Sequence, residues 1–119
     1  MKTKTIILPL PARELSPNAR VHWAKKSPIT KAHRLKARIQ TDICMMLGDR
    51  IASYQLFLFW KDKRRHDRDN ASASCKAYLD GIADALNQDD CEFEFNGVRF
   101  DIDKSNPRVE IRCEIKERK

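Results

Sequence analysis

The sequence predicts an α+β fold: a small, mostly antiparallel sheet with two main helices packed on it. Three observations carry this. Apolar residues recur with strand-like or helix-like spacing in the order strand, helix, strand, helix, strand, strand. The 119 residues are one domain's worth of chain, so 1–119 reads as a single domain. At 41% hydrophobic and 34% charged, the composition is that of a globular fold and too apolar for a disordered tail.

The first strand is Thr3 to Leu10, ended or pushed to an edge by Pro9 and Pro11. Ala12 to Ile29 holds Pro17 and Pro28 with little periodicity and reads as a long basic loop. Thr30 to Leu47 is helical, with Leu35, Ile39, Ile43 and Met46 or Leu47 as its apolar stripe and Gly48 as its stop. Ser53 to Lys61 is an aromatic strand covered on both faces: Tyr54, Leu56, Leu58 and Trp60 on one side, Phe57 and Phe59 on the other. Lys61 to Asn70 is a charged connection. A second helix runs from about Asn70 to Leu86, capped by Asp69 or Asn70, with Cys75, Tyr78 or Leu79, Ile82 and Leu86 facing in. Gly81 weakens that helix, which points to close packing there. A strand follows over roughly Val98 to Asp103, with Asn96-Gly97 as a further tight turn. Arg108 to Lys116 is the last strand, burying Val109, Ile111, Cys113 and Ile115.

The formal net charge is +7, with a pI near 9.4, which favours a polyanionic partner. The charge is unevenly placed. Residues 1–40 hold ten Lys/Arg against Glu14, whereas 80–103 hold eight acids against Arg99. No apolar run approaches the roughly 20 residues of a membrane span, and no signal-peptide pattern opens the chain. The four cysteines form no C-x-x-C pair, so zinc is disfavoured. They read as buried or idle thiols of a reducing cytoplasm.

The chemistry-bearing segment is Arg64-Arg65-His66-Asp67-Arg68-Asp69-Asn70, then the helix, then Asp89-Asp90. In extended chain, Asp67 and Asp69 leave the same side. Packing on the sheet would return the far helix end, with Asp89 and Asp90, toward them. Converging carboxylates in a basic protein suit a hard divalent cation bound through oxygen. Such an ion orients and activates water and offsets charge on a phosphodiester. Lys76, seven residues past Asp69 on much the same helix face, would stabilise that charge or protonate the leaving oxygen. The plainer reading makes Asp69 and Asn70 a helix cap, Asp89-Asp90 a turn, and Lys76–Asp80 a surface pair.

Arg65-His-Asp-Arg-Asp-Asn70, Lys76, Asp80-Gly-Ile-Ala-Asp-Ala-Leu86 and Asp89-Asp90 resemble the RusA-type Holliday-junction resolvases, especially phage and prophage members. Leu8-Pro-Leu-Pro11 and Ser16-Pro-Asn-Ala-Arg-Val-His-Trp23 resemble that family's opening strand and loop, so the likeness spans nearly the whole chain. The resemblance implies an α+β homodimer that nicks four-way junction DNA with Mg²⁺, or Mn²⁺ in its place. It implies catalytic roles for Asp67, Asp69, Lys76 and Asp90, and metal-binding roles for Asp67, Asp69, Asp89 and Asp90. The better-known members have lysine three residues after the Asn; here Ala73 stands there, and a three-residue insertion brings Lys76 to four before Asp80. Arg13, Arg20, Trp23, Lys25, Lys26, Lys31, Arg34, Arg38, Arg64 and Arg65 are then the candidate DNA-binding residues. His66 beside two arginines is expected to face phosphate or solvent, and His33 to be exposed. A non-catalytic basic DNA-binding module and a metal nuclease without junction selectivity are the alternatives.

Overall fold

A computed structural model describes residues 2–116. Among them are four strands, β1 (Lys2–Leu8), β2 (Ile51–Trp60), β3 (Glu94–Ile102) and β4 (Arg108–Ile115). The α-helices are α1 (Trp23–Cys44), α2 (Arg68–Ser74) and α3 (Lys76–Leu86), with short 3-10 turns over Arg13–Leu15 and Asp90–Glu92. The strands form one mixed sheet in the order β1-β4-β2-β3. The two pairings of β4 are antiparallel, and β2 with β3 is parallel. A parallel pair needs a long crossover, and α2 and α3 supply it. The α+β expectation therefore holds, with a sheet that is antiparallel except at one edge.

Val109, Ile111, Cys113 and Ile115 are all buried, as their alternation predicts, against Ile6 and Leu8 of β1 and Leu56 and Leu58 of β2. Helix α3 closes this core with Ala77, Tyr78, Leu79 and Ile82. The Tyr78 hydroxyl donates to Pro9 O at 2.8 Å, and its ring stacks on His33 at 5.0 Å. His33 is thus half-buried rather than exposed, and its Nε2 accepts from Ala12 N at 3.1 Å. Among the described residues the helices α1 and α3 pack together on one side of the molecule, and the outward side chains of β4 meet the second face of β2. There Arg112 lies over Phe57 at 3.7 Å and Arg108 over Phe59 at 3.9 Å, so guanidinium groups cover the second aromatic side of β2.

Four further expectations need correction. The basic loop ends at His22: α1 starts at Trp23 and contains Pro28. Pro28 lies in the second turn and removes the bond its N–H would make to Ala24 O, a cost the helix carries, while His22 Nδ1 accepts from Ala24 N at 3.1 Å as a cap. The apolar stripe of α1 faces outward, with Leu35 56%, Ile39 49% and Ile43 72% exposed, while Ala37 and Thr41 are its buried residues. Small residues are needed inside because α1 meets α3 at Gly81, where backbones come close. The second helix is broken at Cys75, whose φ of −88° and ψ of 0° interrupt the helix between α2 and α3. The Ser74 hydroxyl donates to Asn70 O at 2.7 Å, the local competition that weakens Ser-rich helices. Asn96-Gly97 lies inside β3, not in a hairpin. The pairing skips from Tyr54–Phe95 to Leu56–Val98, and Gly97 takes φ 100° at that bulge.

Burial pushes the thiols of Cys75 and Cys113 up to about 12, whereas Cys91 is exposed and Cys44 half-buried. The expected result is that a disulfide reagent at pH 8 modifies Cys91 in the native chain, and Cys75 and Cys113 only after denaturant is added. Fast modification of Cys75 or Cys113 in native buffer would mean that the core opens on that timescale.

Candidate active site

Asp67 is the N-cap of α2: its Oδ1 accepts from Asn70 N at 3.0 Å, which stops the strand-like segment and starts the helix. Asp69 then stands in the first turn of α2, exposed. Because the chain turns helical at Arg68, the side-by-side geometry of an extended Asp-x-Asp does not apply.

At the other end, Asn87 closes α3 in the left-handed conformation at φ 48°. Gln88 then buries its amide and makes a two-way bond with β2: Oε1 accepts from Ile51 N, and Nε2 donates to Ile51 O, each at 2.9 Å. This clamp fixes where Asp89 and Asp90 come out. No sequence pattern announced it, since a lone Gln after a helix looks like any polar turn residue. Asp89 caps the next turn, accepting from Cys91 N at 3.0 Å, and this bond lowers its carboxyl pKa.

Asp90 returns to the start of α3, where Lys76 Nζ donates to it; the same ammonium donates to Asp80 Oδ1 at 2.9 Å. The hydrogen bond it donates to Asp90 first, then that to Asp80, raises the Lys76 pKa and holds the group charged. Since α3 begins at Lys76, the residue does not continue a helix face from Asp69, as the unbroken-helix reading has it.

A cavity of about 580 Å³ opens here, lined by Asp80, Asp84, Asp89 and Asp90 and by Arg34 and Arg38 of α1. Arg34 grips Asp84 with two hydrogen bonds, 2.5 and 2.8 Å, and this lowers the Asp84 pKa and raises that of Arg34. Arg34 is thus already engaged, while Arg38 stays exposed on the cavity wall. Asp67 lines a different cavity, beside Arg13 and Arg65. Among the described residues, no three His, Cys, Asp or Glu side chains form a group able to hold a metal ion. The expected convergence of Asp67 and Asp69 with Asp89 and Asp90 is therefore not present. Each acid but Asp69 is turned instead to a cap or a lysine.

Of the basic candidates, Arg13, Arg20, Lys25, Lys31 and Arg65 are exposed, and Lys26 is half-exposed. Trp23 is 74% exposed and anchors no core. Lys25, Lys26 and Trp23 belong to the first turns of α1, not to a loop. Arg64 lies 3.5 Å from Asp62. His66 stacks face to face on Trp60, centroids 3.5 Å apart, rather than facing solvent.

No family model matches the chain. It is 35% identical over 96 residues to an uncharacterized protein of Xylella fastidiosa (strain Temecula1). The match covers 76% of this chain and 62% of that protein, so the chain spans less than two-thirds of its relative's length. No helix among the described residues is long and apolar enough to cross a membrane.

Proposed function

We propose that this chain is a Mg²⁺-dependent, structure-selective endodeoxyribonuclease that resolves four-way junction DNA by paired nicks, acting as a homodimer. The observation that best supports the reading is the contact of Lys76 with Asp90. Two motif residues far apart in sequence meet at the wall of a cavity that also carries Asp89 and the cationic Arg38. The resemblance to RusA-type resolvases names the same residues.

The carboxylates Asp67, Asp69, Asp89 and Asp90 have the oxygen chemistry a hard divalent cation requires. Among the described residues their arrangement does not gather three of them into one metal-holding group. When bound, the cation would supply water activation and charge neutralisation. The chain's own part is electrostatic. Lys76, held charged against Asp90 and Asp80 beside the cavity those acids line, would stabilise a phosphate's growing negative charge, and Arg38 adds positive charge on the cavity wall. The basic, exposed Arg13, Arg20 and Lys25 contribute sequence-independent phosphate contacts.

The test is incubation of the protein with a synthetic immobile junction and a matched linear duplex, with and without Mg²⁺. Junction-selective nicking that needs the metal is expected. Asp67→Asn and Asp90→Asn are each expected to abolish nicking and keep junction binding in a gel shift. Tight binding with no metal-dependent cutting by the wild type would favour the second reading, a non-catalytic DNA-binding module. The capping and ion-pairing roles of Asp67, Asp89 and Asp90 speak for that alternative.

A four-way junction has two-fold symmetry, and two opposed nicks need two sites. The outward row Leu35, Ile39 and Ile43, four residues apart on α1, is the apolar face a second copy would cover. Ile39→Asp is expected to convert a dimer to a monomer in analytical ultracentrifugation with the circular dichroism spectrum unchanged. An unaltered sedimentation coefficient would place any dimer contact elsewhere.

A further inference from the structure

The second cavity differs in chemistry from the charged one beside Lys76. It measures about 430 Å³ and lies between the segment Pro11–Asn18 and the start of α2. Its walls are Leu58, Trp60 and Ala71; its polar edge carries Asn18, with Arg13 and Arg65 as exposed cations. Asp67 and Asn70 of the acidic motif line it as well, so it adjoins the proposed site.

Trp60 is its main aromatic element. His66 lies parallel to the indole at 3.5 Å with an interplanar angle of 5°, and Phe100 meets the indole edge-on at 5.4 Å. The Trp60 Nε1–H is buried with no acceptor among the described residues, and the cluster's contacts on the indole are ring stacking. The volume lies within the roughly 300–1,000 Å³ of small-ligand sites, and apolar walls with a few polar groups are their usual make-up. Flat ring surface flanked by amide and guanidinium groups suits one class of ligand well. A base presents a π-face to the rings and hydrogen-bonding edges to amides, and its phosphate is drawn to arginine.

We propose that this cavity takes one unstacked nucleobase of the DNA, next to the phosphate that is cut, and so gives the enzyme a preference for where it cuts. The base lies against the Trp60–His66 stack, Asn18 and Asn70 meet its edge, and Arg13 and Arg65 hold the adjoining phosphates. At a junction centre the continuity of stacking is broken where strands exchange, which lowers the cost of unstacking a base there. The inference rests on the DNA-cleaving reading above and deepens it.

The chain has two tryptophans, so Trp23→Phe leaves Trp60 as the sole tryptophan reporter. Its fluorescence is titrated with a short mixed-sequence single-stranded oligonucleotide and with an abasic one of equal length. The normal strand is expected to quench saturably and to bind at least about fivefold tighter than the abasic one, the low end of base–aromatic stacking. Asn18→Phe, on the exposed rim, is expected to remove that difference without altering thermal unfolding, and to redistribute the cut sites on a junction. Equal quenching by both strands, or no effect of Asn18→Phe on quenching, overturns the pocket. Junction cleavage by the wild type without Trp60 quenching overturns the pocket and leaves the nuclease. Base-selective quenching without any cleavage keeps the pocket and removes the nuclease reading. Absence of both removes the two together.

Discussion

Lys76→Ala is expected to lower the rate of junction nicking by about 10²-fold or more, the scale of a lost electrostatic or acid group. Junction binding should change little, because one ammonium is a small share of the phosphate contacts. The ion pairs decide which role to expect. Hydrogen bonds to Asp90 and Asp80 raise the Lys76 pKa, which favours keeping its proton over giving it up. A fixed positive charge is what remains for it to offer. Lys76→Arg is therefore expected to recover part of the rate, since guanidinium keeps the charge but gives up no proton. Single-turnover cleavage, with a gel shift for binding, separates the cases. Failure of Lys76→Arg beside full binding would assign proton donation instead. A Lys76→Ala rate within about threefold of wild type, far short of the catalytic scale, would reduce the residue to a surface ion pair.

Gly81→Ala is expected to destabilise the fold by about 1–3 kcal/mol, the usual cost of overpacking. Helix propensity alone argues the opposite, since alanine is favoured over glycine by about 1 kcal/mol inside a helix. Packing outweighs it. A Cβ at Gly81 would meet Arg34 O at 2.1 Å and Ala37 Cβ at 2.9 Å. Neither atom sits on a flexible side chain that can swing away. Helices α1 and α3 must then separate, and the Arg34–Asp84 pair that spans them is stretched. Urea unfolding reads this directly: a lower midpoint with an unchanged slope is expected. A raised midpoint would show that the helices part freely and that propensity dominates.

Much of the fold was legible because period-two and period-three patterns report burial directly. Strand β4 came out residue for residue, whereas in α3 the expected Tyr78, Leu79 and Ile82 are buried, Leu86 is only half-buried, and Ala77 and Gly81, outside the expected stripe, face in as well. Helix α1 shows the limit of the method. Periodicity reveals that Leu35, Ile39 and Ile43 share a stripe, but not which side the stripe takes. Here the close approach at Gly81 reserves the inside for Ala37 and Thr41, and small residues give a weak hydrophobic signal. Two prolines hid the start of the same helix. The candidate site was legible as a set of residue types and poorly legible as geometry. The Lys76–Asp90 contact depends on the Gln88 amide clamping Ile51, a tertiary bond with no local signature. The break at Cys75 was equally hidden, since each residue from Ala71 to Lys76 is acceptable in a helix.

The strand order has a kinetic consequence. Among the described residues strand β1 pairs only with β4, Ile6 opposite Ile111, so once made it has no partner until nearly the whole described chain has emerged. Strand β2 gains its antiparallel neighbour at the same late moment. Until then α1, with its apolar row turned outward, and the crossover through α2 and α3 can form around β2 and β3 alone. Long-range closure of this kind slows folding, because loop entropy is lost before contacts repay it. Arrival of Arg108–Ile115 completes the sheet in one step, filling the slot between two waiting edges. A nascent chain stalled before that point would present both edges, and chaperone capture during synthesis would concentrate there.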